Sequence, residues 1–290
     1  MCIRDREIKG NSYIGGIIGT GSGLRNMTVT NAQIEGNSYV GGIAGNSGFI
    51  NNSRNNKIIN STIKGNGSYI GGISGSYGGG NNNIVDGCII ETTSNSKIVG
   101  GAFGSQVNGC GSVVVINTKI KSDGQGVGGI IGAMSNGAIH ESYVQNVEIV
   151  GVSNIGGIAG EGNLNYSIYA TYNNVKINAT GSGIGGIIGY LNNEYTSATN
   201  NSNFFKNAVY NAKLHGESAV GGIIGKTYKE LYTGQNSNLS SNYVQAELES
   251  VDDNTVSLGI GDRQDQNQYL IDTYYYKYST INGENPNELN

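Results

Sequence analysis

The stretch NSYVGGIAG, residues 37–45, decides the fold. It stands between NSYIGGIIG at residues 11–19 and GSYIGGISG at residues 67–75. A Gly-Gly pair among β-branched residues has two readings: the glycines cradle a ligand, or they form a corner of a repeating coil. Val40 and Ile43 are both apolar but three apart, so strict strand alternation would send them to opposite faces. A glycine-permitted bend at Gly41 and Gly42 turns both inward. The pair is therefore read as one corner of a coil.

The same pair recurs as Gly15-Gly16, Gly41-Gly42, Gly71-Gly72, Gly100-Gly101, Gly128-Gly129, Gly156-Gly157, Gly185-Gly186 and Gly221-Gly222, at spacings of 26 to 36 residues. SLGIG at residues 257–261 is a degenerate ninth copy. A second pattern precedes each pair, beginning with Val29-Thr30-Asn31-Ala32-Gln33-Ile34. It predicts an interior aliphatic column of Ile34, Ile63, Ile90, Ile120, Ile149, Ile177, Leu214 and Leu248. Beside it runs a column of small residues: Ala32, Ser61, Cys88, Thr118, Val147, Val175, Ala212 and Ala246. Between Val29 and Ala32 the phase slips, which makes Asn31 and its equivalents a corner, because asparagine tolerates left-handed backbone. The outward column sets Lys119 beside Glu148 beside Lys176, a cross-rung charge ladder that supports register.

These columns predict an all-β chain folded as a β-solenoid of about nine coils of roughly 28 residues, stacked at the strand spacing. Residues 7–261 carry the repeats. Residues 1–6 match no other copy and are expected to be a foreign leader on a fragment. Residues 262–290 are expected to form a tyrosine-rich terminal coil or cap with a polar tail. Loops of varied length, such as SYGGGNNN at residues 76–83, are expected to leave from one side.

Composition agrees and excludes alternatives. Glycine reaches 49 residues without a three-residue period and proline occurs once, so collagen is excluded. The formal net charge of −4 argues against a nucleic-acid partner or an anionic membrane surface, and no apolar run approaches the roughly 18 residues of a membrane helix. Three cysteines are too few and odd in number for a disulfide framework.

The recurring Gly-Gly-Ile-x-Gly, preceded by Asn-Ala-x-Ile-x-Gly, resembles the GLUG repeat of bacterial cell-surface proteins. It is similar, too, to the region upstream of the catalytic domain in IgA-specific zinc metallopeptidases. The resemblance implies an extracellular, surface-displayed, non-catalytic segment, and no motif in the chain calls for a cofactor. Such a segment would space or present other domains of its parent chain and bind host glycoprotein or glycan. Its alternative implication is a substrate-engaging region of a metallopeptidase whose catalysis lies elsewhere.

Catalytic and metal motifs are not found. His140-Glu141 supplies only half of H-E-x-x-H, and the other histidine, His215, falls in a different coil. VGGIIGKT at residues 220–227 mimics a phosphate loop but has Val220 where glycine is required. GSGIGG at residues 181–186 lacks the strand-then-helix setting of a dinucleotide fingerprint. Asp252, Asp253, Asp262 and Asp265 read as a solvated loop or a calcium site. Cys88 is expected to be a buried inert thiol, with Cys110 and His140 in loops. The remaining feature is Tyr13, Tyr39 and Tyr69, one per coil. They could stack against a sugar chain or peptide, or close the edge of the core.

Overall fold

The computed structural model describes residues 1–48, 53–76, 78–93, 97–135, 137–163, 166–192, 203–204, 206–228, 241–262, 274–276 and 278–285. Parts of the predicted loops and Asp265 lie outside the described residues.

One coil shows the construction. Its strands are Thr28–Thr30, Gln33–Gly36, Ser38–Gly41 and Ala44–Asn46. Each pairs in parallel with its equivalent in the next coil: Ile34 lies beside Ile63, and Val40 beside Ile70. The third strands alone form a nine-stranded sheet in chain order, and the others join one 27-stranded sheet. About eight turns, near 29 residues apart, make the β-solenoid. All members of both interior columns are at most 3% exposed, so each coil buries its apolar face against its neighbours.

Left-handed residues recur at three corner positions along the coils. Asn31, Asn60, Asn117, Asn146, Asn174 and Asn211 hold φ between 48° and 53°, as the asparagine column predicted. Their side chains form an exposed ladder: Asn146 Nδ2 donates to Asn117 Oδ1 at 3.2 Å, and Asn174 Nδ2 to Asn146 Oδ1 at 2.8 Å. A second corner runs through Asn26, Asn55 and Asn82, with φ of 56° to 58°. The third left-handed position is one the sequence reading missed: Tyr39 (φ 57°) and its equivalents, two residues before the Gly-Gly pair. The bend read at the Gly-Gly pair is present, where the chain passes from the third strand in one sheet to the fourth in the other, although the paired glycines are not left-handed.

At that bend the glycines are needed for close approach. A Cβ on Gly41 would stand 2.7 Å from Ser74 Cα of the next coil, and one on Gly42 would meet the Gly72 carbonyl and the Ile58 side chain. A Cβ on Gly45 would stand 2.6 Å from Ile14 N. The third and fourth strands thus press backbone on backbone at a narrow edge that only glycine fits. Val40 and Ile43 do both point inward, fully buried.

The chain ends continue the ladder. Cys2–Arg4 pairs with Thr28–Thr30, and Asn31 Nδ2 donates to Asp5 Oδ1 at 3.0 Å, so the expected leader lies in register with the second coil. At the other end, Tyr274–Tyr275 and Thr280–Ile281 pair with Tyr243–Ser250 as a partial coil. That partial coil turns back at Gly283 (φ 83°).

Candidate functional site

Tyr13, Tyr39 and Tyr69 come together as expected, but their geometry is not that of an open stacking strip. Tyr13 and Tyr39 have centroids 4.6 Å apart with planes 6° off parallel, and Tyr39 and Tyr69 are 5.0 Å apart at 10°. The rings face one another, with Tyr13 exposed and Tyr39 and Tyr69 half-buried. Among the described residues no ring covers the far face of Tyr13, which is exposed. Each stacked pair contributes about 0.5–1.5 kcal/mol, which offsets part of the roughly 1–2 kcal/mol cost of a left-handed tyrosine.

A second aromatic cluster was missed in the sequence. Tyr210 and Tyr243 lie 4.9 Å apart, Tyr243 and Tyr276 6.5 Å, and Tyr276 and Tyr278 5.2 Å. Burial, then the neighbouring Tyr210 and Tyr276, raise the Tyr243 phenol above its ordinary range. The signal was available: Tyr210, Tyr243 and Tyr276 are each 33 residues apart.

Beyond the tyrosine stack the same face changes chemistry. The left-handed column continues as Ile98, Gly126, Asn154, Gly183 and Ala219. Seven residues after Tyr13, Tyr39 and Tyr69 come small fourth-strand residues, Thr20, Asn46 and Ser76; seven after Asn154, Gly183 and Ala219 come Glu161, Tyr190 and Lys226. Bulk moves from one column to the other, and the larger side chains fill the space above the glycines. Glu161, Tyr190, Lys226 and Asp262 stand in register on successive rungs. Lys226 Nζ is 3.3 Å from Ser182 Oγ and 5.3 Å from the Tyr190 ring centroid. Its half-burial lowers the ammonium below the usual lysine range, against the pull of Glu161 and Asp262.

The remaining candidates resolve individually. Cys88 is buried, and desolvation pushes its thiol up to about 11, the inert state expected of it. Cys110 is not in a loop: it lies buried in the strand Phe103–Gly111, beside Ile139. His140 likewise belongs to the strand Gly137–Gly151, its imidazole lying across Gly111. His215 is exposed, with Nδ1 3.4 Å from Glu249 Oε2. Val220 is fully buried, so the phosphate-loop mimic is core. Thr255 Oγ1 lies 3.3 Å from both the carbonyl and the carboxylate of Asp252, while Asn282 Nδ2 donates to Asp253. Among the described residues, no three His, Cys, Asp or Glu side chains could together hold a metal ion. The outward charges pair as Lys119–Glu148 at 3.6 Å and Lys213–Glu247 at 2.6 Å.

No protein-family model, no curated protein and no solved structure matches this chain.

Proposed function

We propose that this chain is a non-catalytic rod of a bacterial surface protein, which spaces or presents other domains and recognises host glycan or glycoprotein. The observation that carries the reading is the stack of Tyr13, Tyr39 and Tyr69 on an unbroken ladder of coils. A parallel solenoid is stiff along its axis, because every coil is hydrogen-bonded to the next. It holds the tyrosine rings at a fixed repeat of about 4.8 Å. A row of amphipathic rings with one open ring at its end suits a chain of sugars better than a compact small molecule. The surface setting and the non-catalytic role are supported by the repeat's resemblance to surface proteins.

The test is binding of the purified chain to arrayed host glycans and secreted glycoproteins. Binding lost in Tyr13→Ala, Tyr39→Ala, Tyr69→Ala, with the β circular-dichroism signal unchanged, supports recognition through the stack. Folded protein that binds nothing, or binds equally well without the tyrosines, rejects it.

A further inference from the structure

Asn154 and Glu161 of one coil lie on the same face as Lys226, two coils further on. Asn154 is 7% exposed. Its Nδ2 donates to Glu161 Oε1 at 2.8 Å, but its Oδ1 has no hydrogen-bond partner. A buried amide oxygen left unpaired costs about 1–3 kcal/mol. Gly183, on the coil between, leaves open the position that tyrosine fills elsewhere. A Cβ there would stand 2.8 Å from Lys226 Cε and 3.0 Å from Asn154 Oδ1, so the two atoms are less than about 6 Å apart. Nζ itself rests 3.3 Å from Ser182 Oγ, so reaching the Asn154 amide requires a change of lysine rotamer.

We propose that Lys226 and Asn154 join in an intramolecular isopeptide bond spanning three coils, with Glu161 as the proton carrier. The neutral Nζ attacks Asn154 Cγ with its lone pair, forming the Nζ–Cγ bond. The Glu161 carboxylate takes a proton from Nζ and hands it to Nδ2, which it already touches. The Cγ–Nδ2 bond then breaks, the Oδ1 carbonyl re-forms and ammonia leaves. A primary amide and an amine become a secondary amide and ammonia, with no oxidant or reductant. Burial favours the neutral amine that the attack requires. The tie bridges the longest interval between Gly-Gly pairs, the 36 residues from Gly185 to Gly221. The proposal is independent of glycan recognition.

Intact-mass spectrometry of the purified, denatured chain tests it. The expected mass is below the sequence mass by one ammonia, about 17 Da. A tryptic species should join the segments holding Asn154 and Lys226, uncut after Lys226. Lys226→Arg and Glu161→Gln should restore the full mass. Folded wild-type protein at full sequence mass overturns the proposal. A deficit that survives in Lys226→Arg marks a cyclic imide at an asparagine and overturns it too. A deficit that survives in Glu161→Gln removes Glu161 from the step.

Discussion

Gly156→Ala tests the claim that the Gly-Gly pairs serve close approach rather than left-handed backbone. The added Cβ would collide with the Ala159 carbonyl and stand 2.7 Å from Ile187 O of the next coil. Both obstacles are backbone, held by hydrogen bonds on either side; Ala159 N, for example, donates to Ile187 O at 2.9 Å. The chain must move by several tenths of an ångström or more, and the strain of such overpacking is about 1–3 kcal/mol, rising where the backbone cannot yield. The control is Gly126→Asn. Gly126 has φ 72°, and the nearest atoms to its Cβ are the flexible Glu161 carboxyl group at 3.3 Å. Asparagine enters that region readily, so this change should cost about 1 kcal/mol or less. At about 2–4 °C per kcal/mol, a Gly156→Ala cost at the upper end of the overpacking range, about 3 kcal/mol because both obstacles are backbone, should lower the midpoint of thermal unfolding, followed by far-UV circular dichroism, by roughly 6–12 °C. Gly126→Asn should lower it by no more than about 4 °C. Near-parental melting of Gly156→Ala, or greater damage from Gly126→Asn, would refute the steric account.

Other consequences are equally direct. Ile149→Ala, at a fully buried position in the aliphatic column, should cost about 2–5 kcal/mol in denaturant titrations, and a loss under 1 would contradict its burial. Lys213→Ala breaks a 2.6 Å pair between exposed side chains and should leave the unfolding midpoint nearly unchanged, with any small loss disappearing in high salt; a large loss would contradict its exposure. Iodoacetamide at pH 8 should label exposed Cys2 quickly and leave Cys88 untouched until unfolding; equal rates would place Cys88 at the surface. Its raised thiol pKa also sets a sign. The unfolded thiol ionises near 9.0 and the folded one near about 11, so stability present below pH 9 should decline as pH rises through that window, by up to about 2–3 kcal/mol. A Cys88→Ala variant that keeps the whole decline would assign it elsewhere.

Much of this architecture is readable along the chain. The interior columns from Ile34 to Leu248 and the asparagine corner at Asn31 follow from alternation and its slips, which are local properties of a strand. Repetition then carries one coil's reading to the next, because parallel stacking sets like residues side by side. The tertiary structure decided whatever depends on contacts one coil away. Gly41 looks permissive in sequence and is compulsory in space, because Ser74 lies against it. Tyr39 looks like an outward aromatic, yet it turns the corner itself and stacks face to face with its neighbours. Cys110 and His140, in stretches rich in glycine and asparagine that read as loops, are strand residues because rungs on either side pair with them. Asn154, Glu161 and Lys226 share no motif. Lys226 comes near Asn154 because Gly183 has no side chain, and the effect of an absent side chain is decided by what neighbouring coils put in its place.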